Sequence, residues 1–130
     1  MGARKREMAN RLKAEKSNTA VAKLNNEPSS PRKMRLVADI IRGKDAFHAL
    51  NILKFTRKHA AIPMEKLLRS AIANWQAKNG GEDPSKASLF VKDILVDGGR
   101  TLKRISPAPQ GRAHRIRKRS NHVTIILDKK

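Results

Sequence analysis

The chain has no cysteine among its 130 residues, which removes disulfides, thiolate metal sites and thiol nucleophiles and suits a reducing compartment. It is also poor in aromatics, with three phenylalanines and one tryptophan. Phe47, Phe55, Phe90 and Trp75 all fall in apolar periodic runs and are read as core, so a binder that stacks single-stranded bases is not expected. No apolar run approaches the roughly 18 residues of a transmembrane span. The N-terminal Met1-Gly2-Ala3-Arg4-Lys5-Arg6 lacks the apolar region of a signal peptide, and Arg6 stands where a myristoylation signal needs Ser or Thr. Neither export nor a membrane anchor is expected. Acid is scarce as well: 11 Asp and Glu face 30 Lys and Arg, for a net charge of +19. That balance places the chain among nucleic-acid binders without choosing between DNA and RNA.

The acid deficit is greatest between Arg100 and Arg119. This stretch carries Arg100, Lys103, Arg104, Arg112, Arg115, Arg117, Lys118 and Arg119 with no Asp or Glu, and is divided by Ser106-Pro107-Ala108-Pro109-Gln110-Gly111. Two prolines fix torsions and Gly111 permits a reversal, so the pattern predicts a cationic hairpin with a slim, stiff turn. Ser88 onward is β-rich through Leu89, Phe90, Val91, Ile94, Leu95 and Val96, and His122 to Leu127 alternates as its expected partner. The two strands bracket the basic arm. If pairing continues to a turn near Ala108, legs on the order of ten residues place the tip about 30 to 35 Å out. An arm so poor in apolar residues needs a polyanion to screen its charge.

A chain of this length buries roughly two-thirds of its unfolded surface, enough for one modest core. Residues 1–18 form a basic extension with helix-compatible residues but hardly any apolar face, either a solvated helix or a second arm on phosphate; residues 19–130 form one domain that includes an extended β-hairpin over 97–121. Thr19 to Leu24 reads as a short strand closed by the loop Asn25-Asn26-Glu27-Pro28. Ser30 and Pro31 mark a helix start, with Ser30 able to accept first-turn amides. The expected buried stripe is Met34, Leu36, Val37, Ile40 and Ile41, and Gly43 supplies the stop. Asp45 can cap a second helix buried through Ala46, Phe47, Ala49, Leu50 and Leu53. A third helix from Thr56 to about Lys78 is buried through Ala60, Ile62, Met64, Leu67, Leu68, Ala71, Ile72 and Trp75. Pro63 should kink it or delay its start.

No catalytic constellation stands out. His48, His59, His114 and His122 are scattered without a metal-binding spacing, so no metal site and no cofactor are expected. His114 lies in the basic arm and reads as an RNA contact, whereas His48 and His59 read as surface residues. Glu65, Asp93 and Asp97 are isolated carboxylates suited to salt bridges or solvation. Gly80-Gly81 and Gly98-Gly99-Arg100 are turns that lack the rest of a phosphate loop. An enzyme is not expected.

Four blocks in register give the chain a relative. Ser30-Pro31-Arg32-Lys33-Met34-Arg35-Leu36-Val37-Ala38-Asp39-Ile40-Ile41-Arg42-Gly43-Lys44 closely resembles the first helix of the large-subunit ribosomal protein twenty-two family, bacterial type. Lys66 to Asn74, Val96-Asp97 leading to Lys103-Arg104, and Gln110-Gly111-Arg112-Ala113 running to Lys118-Arg119 agree in order and spacing. The resemblance covers roughly Thr19 to Leu127.

It implies an α+β fold, with three helices packed on a small antiparallel sheet and one hairpin drawn out into a long arm. It further implies a cytoplasmic structural constituent of the large ribosomal subunit that binds 23S-type rRNA, touches neighbouring ribosomal proteins and supports assembly. By motif, Arg32, Lys33, Arg35, Arg42 and Lys44 would meet rRNA from the body. Arg100, Lys103, Arg104, Arg112, His114, Arg115, Arg117, Lys118 and Arg119 would do so along the arm. Ser106, Pro107, Ala108, Pro109, Gln110 and Gly111 would form a tip lining the exit tunnel beside the nascent polypeptide. Family members commonly carry basic residues at the positions of Ala108 and Gln110, and here both are neutral, so this tip is expected to act by shape and stiffness.

Two other classes fit the charge. A free architectural nucleic-acid-binding protein would use a β-ribbon arm with an intercalating proline and normally a dimer. An RNA-acting enzyme or chaperone would turn over at catalytic amounts.

Overall fold

The computed structural model describes residues 2–129, with the side chains of all of these except 15–18; Met1 and Lys130, the outer ends of the two expected segments, lie outside the described residues. Eight elements follow in order: α1 (Ala3–Asn18), β1 (Ala20–Glu27), α2 (Pro31–Ile41), α3 (Ala46–Phe55), α4 (Ala61–Lys78), β2 (Leu89–Pro107), a short turn of helix (Pro109–Gly111) and β3 (Ala113–Lys129). The fold is α+β. Helices α2, α3 and α4 pack on an antiparallel sheet of order β1-β3-β2. The basic N-terminal segment is helical, and its side chains from Ala3 to Ala14 are exposed, as a helix with no apolar stripe requires.

One face of the sheet meets the helices. Along β3, Asn121, Val123, Ile125 and Leu127 are buried and their alternating neighbours are half-exposed. On β2 the buried positions are Leu89 and Val91, then Ile94 and Val96. The change of parity is produced by a bulge between Val91 and Asp93, where one extra residue turns the following side chains to the other face. Without it, Ile94 and Val96 would point away from the core. Ala20 and Ala22 complete the floor from β1, small enough for α4 to approach closely.

Both edges of the sheet are covered over the body. On the β1 side, Asn74 Nδ2 of α4 donates to the Val21 carbonyl (3.1 Å). On the β2 side, the Gly43 amide donates to the Val91 carbonyl (2.9 Å) and the Val91 amide to the Lys44 carbonyl (2.8 Å). Gly43 sits at φ 74°, a left-handed stop that swings the chain from α2 onto this edge. Such covers keep unpaired strand edges from recruiting other chains.

Several expectations are corrected. The first strand continues through Asn25 to Glu27, with a bulge between Leu24 and Glu27 that places Asn26 at φ 57°. Ser30 occupies the N-cap of α2 but makes no side-chain cap; its carbonyl accepts the Lys33 and Met34 amides instead. Asp45 does cap α3, accepting from the amides of Phe47 and His48 at 3.2 Å each. Thr56 ends α3 rather than opening the next helix, and α4 starts at Ala61, so Pro63 falls in the first turn where its missing amide is harmless. Leu36, Ile40, Phe47, Phe55 and Ile62 are exposed, because the sheet covers a narrower stripe of each helix than the apolar pattern suggests. Trp75 is buried and Phe90 half-buried.

Candidate nucleic-acid interface

Beyond Asn121 and Val96 no side chain of the hairpin is buried, and residues 99–107 at about 3.3 Å each carry the tip about 30 Å past the body. Pairing does not stop there. The ladder continues from Thr101↔Arg119 to Pro107↔Ala113. The arm is therefore a continuation of the core strands.

The arm leaves the body at a second bulge, between Gly98 and Thr101. Ser120 Oγ donates to the Arg100 carbonyl (2.5 Å) across it. Just inside, Asn121 Nδ2 donates to the Ser29 carbonyl (2.9 Å) and to Ser29 Oγ (2.8 Å), tying the root of β3 to the loop before α2.

Ladder partners share a face of the ribbon, so the pairing sorts the cations. One face carries Lys103, Arg115, Arg117 and Arg119 with Thr101, around a depression of about 260 Å³. The other carries Arg104, His114 and Lys118. All of these cations, with Arg100 and Arg112, are exposed. The arm is less purely cationic than its sequence suggests: Leu102, Ile105 and Ile116 are exposed on it.

At the root of the arm, the first turn of α2 and the α3–α4 turn enclose an open cleft of about 1140 Å³. Arg32, Lys33, Lys58, Lys118 and Arg119 line it, Leu36 and Leu102 add apolar surface, and no Asp or Glu is among the described lining residues. The cleft thus joins body and arm into one positive surface.

The body cations do not all play the same part. Arg35 donates through Nε and Nη2 to the Val96 carbonyl (3.3 and 3.0 Å). Arg42 donates through Nη2 to the Ile94 carbonyl (3.1 Å) and through Nη1 to Asp39 Oδ1 (2.6 Å). Both guanidinium groups hold α2 against the outer edge of β2. Arg32 and Lys33 line the cleft, and Lys44 is exposed beside the β2 edge. At the far end of the sheet Lys92 Nζ pairs with Asp128 Oδ2 (2.7 Å), which holds the Asp128 carboxyl below its ordinary value against the opposing effect of burial.

The reversal itself spans Ala108–Arg112, since Ser106 and Pro107 still pair with His114 and Ala113. The Ala108 amide donates to the Arg112 carbonyl (2.8 Å). Gln110 and Gly111 take positive φ, 62° and 70°. No cation lies between Arg104 and Arg112, so the positive charge stops short of the turn.

Sequence reasoning missed Phe55, which it assigns to the core and which is 81% exposed. The signal was available: Phe55 lies two residues past the buried Leu53, about 200° around the helix.

Residues 22–128 match the family described as Ribosomal protein L22p/L17e. The chain is similar to large ribosomal subunit protein uL22 of Christiangramia forsetii, 64% identical over 127 residues that cover 98% of this chain and 94% of the relative. The protein of the same name from Flavobacterium psychrophilum is 62% identical over 127 residues, covering 98% and 93%. That of Bacteroides fragilis is 59% identical over 130 residues, covering 100% and 95%.

Proposed function

Since the chain belongs to the Ribosomal protein L22p/L17e family, and is a structural constituent of the large ribosomal subunit, we propose that it binds 23S-type rRNA with a body-to-arm cationic surface. The observation that carries this is the arm: an exposed ladder running from core strands, acid-free from Arg100 to Arg119, with cations on both faces. A two-faced ribbon of this kind suits a site surrounded by phosphate, in which RNA shape sets position and released counterions drive affinity. The arm cations, with Arg32, Lys33 and Lys44, supply the contacts; Arg35 and Arg42 position α2 while presenting their remaining donors.

On this reading the uncharged turn residues Ala108, Pro109, Gln110 and Gly111, with Ser106 and Pro107 behind them, lie at the wall of the nascent-peptide tunnel, and the nascent polypeptide meets backbone and uncharged side chains there. The body lies against rRNA and neighbouring ribosomal proteins in the cytoplasmic subunit and supports its assembly. The helix α1 adds a second basic segment over residues 3–18.

Sedimentation tests the reading. The tagged full-length protein should co-migrate with the large subunit after a high-salt wash, and a variant with residues 99–120 replaced by a short turn should fold but wash off. Free sedimentation of the intact protein at high salt, or preference for duplex DNA over large-subunit rRNA, would overturn it.

A further inference from the structure

Phe55 is the most exposed large apolar side chain of the described residues, at 81%, and its position is fixed rather than frayed. The Thr56 amide donates to the Leu53 carbonyl (3.2 Å) and Thr56 Oγ1 to the Ile52 carbonyl (2.7 Å), closing α3 directly after Phe55. His48 and Asn51, two turns and one turn earlier, are exposed on the same side of the helix.

The surroundings specify the ligand. Residues 46–64 contain no acid, and Lys54, Arg57 and Lys58, neighbours of Phe55 in the chain, are exposed and form no ion pair among the described residues. Lys58, three residues after Phe55, also lines the cleft at the root of the arm. An aromatic face flanked by cations and amide donors matches an unpaired base with its phosphates: the ring stacks, the cations take the backbone, and Asn51 or His48 reaches the base edge. A protein partner would have to bring acids to three cations around one ring.

We propose that Phe55 is a stacking platform for one unpaired rRNA base, a contact separate from the arm and resting on the rRNA-binding reading above. The test uses full-length wild type, F55A, F55L and F55W with protein-free large-subunit rRNA, measuring affinity across salt and nucleotide reactivity by chemical probing. F55A should keep the wild-type melting temperature and the arm footprint, yet lose about 5- to 150-fold in affinity and expose at least one unpaired nucleotide. Its salt slope should be unchanged, because no charge is removed. F55W should retain binding with its added exposed indole quenched on complex formation, while F55L should behave like F55A. Equal affinity and footprint for F55A and wild type, or full rescue by F55L, would overturn the stack and point to apolar contact with a protein neighbour. Failure of the wild type to bind rRNA would instead overturn the reading beneath it.

Discussion

Gly99 and Ser120 approach so closely at the root of the arm that a β-carbon on Gly99 would stand 2.7 Å from Ser120 Oγ and 3.1 Å from the Ser120 carbonyl carbon. The second distance is to backbone, so no side-chain rotation relieves it. The contact belongs to the bulge that turns core strands into the arm, and it leaves the Ser120 hydroxyl free to donate to the Arg100 carbonyl.

Gly99→Ala should therefore push the two legs apart at their base. We expect a loss of about 1–3 kcal/mol, the range for forcing a methyl group into a packed site. Faster hydrogen exchange at the amides of Thr101 to Ser106 should accompany it. Gly99→Ala with Ser120→Ala should recover only part of the loss, since the backbone contact stays. Full recovery in urea melts would show that the hydroxyl alone sets the geometry.

Cations on the arm and cations at the edge of β2 should separate in two measurements. The Arg117 side chain forms no ion pair among the described residues, so Arg117→Gln should leave thermal stability unchanged and reduce the salt slope of rRNA binding by about 0.7 to 0.9. Arg35 is bonded to the Val96 carbonyl, and Arg35→Gln should cost about 1 kcal/mol of stability. Melting curves and a salt titration on the same preparations check both. Equal stability of the two variants would mean that α2 needs no side-chain hold on the sheet.

How much of this was legible in the sequence depends on the distance over which the cause acts. Asp45 and Gly43 announce a helix cap and stop because capping is settled within a few residues, and the acid-free arm shows its charge without any fold. Leu36, Phe47, Phe55 and Ile62 mislead because periodicity reports that a side is apolar, while burial depends on how far a three-stranded sheet reaches around each helix. The two bulges in β2 are invisible for a related reason: the parity of Ile94 and Val96 is fixed by pairing with Ile125 and Val123, some 30 residues away. Arg35 and Arg42 look like free cations because their carbonyl partners are still farther along the chain. In the resemblance to the ribosomal family, order and spacing of four blocks supplied what local chemistry could not.

The Lys92–Asp128 pair at the other end of the sheet gives a pH signature. The folded-state pKa of Asp128 is lowered, chiefly by the hydrogen bond from Lys92, so its contribution to stability is present above the unfolded value of 3.8 and is lost as pH falls through the folded one. The pair is partly exposed, which limits it to about 0.2–1 kcal/mol. Asp128→Asn should show that deficit in urea melts at pH 7 and none at pH 2. A deficit that persists in acid would assign the effect to packing.

The tip offers the sharpest separation of shape from charge. Gln110 and Gly111 both hold left-handed backbone, and Ala108 closes the turn through its amide, so Gly111→Ala should strain the reversal by about 1 kcal/mol while adding no charge. Ala108→Arg with Gln110→Arg should do the opposite, since a long unbranched residue replaces glutamine at the same φ and the alanine lies in extended backbone. If the tip acts on the nascent chain by its shape, ribosomes carrying Gly111→Ala should change their pausing at arrest peptides. If it acts by its low positive potential, the double arginine variant should do so instead. Ribosome profiling of both variants distinguishes these outcomes, and no change in any arrest from the arginine pair would count against an electrostatic role.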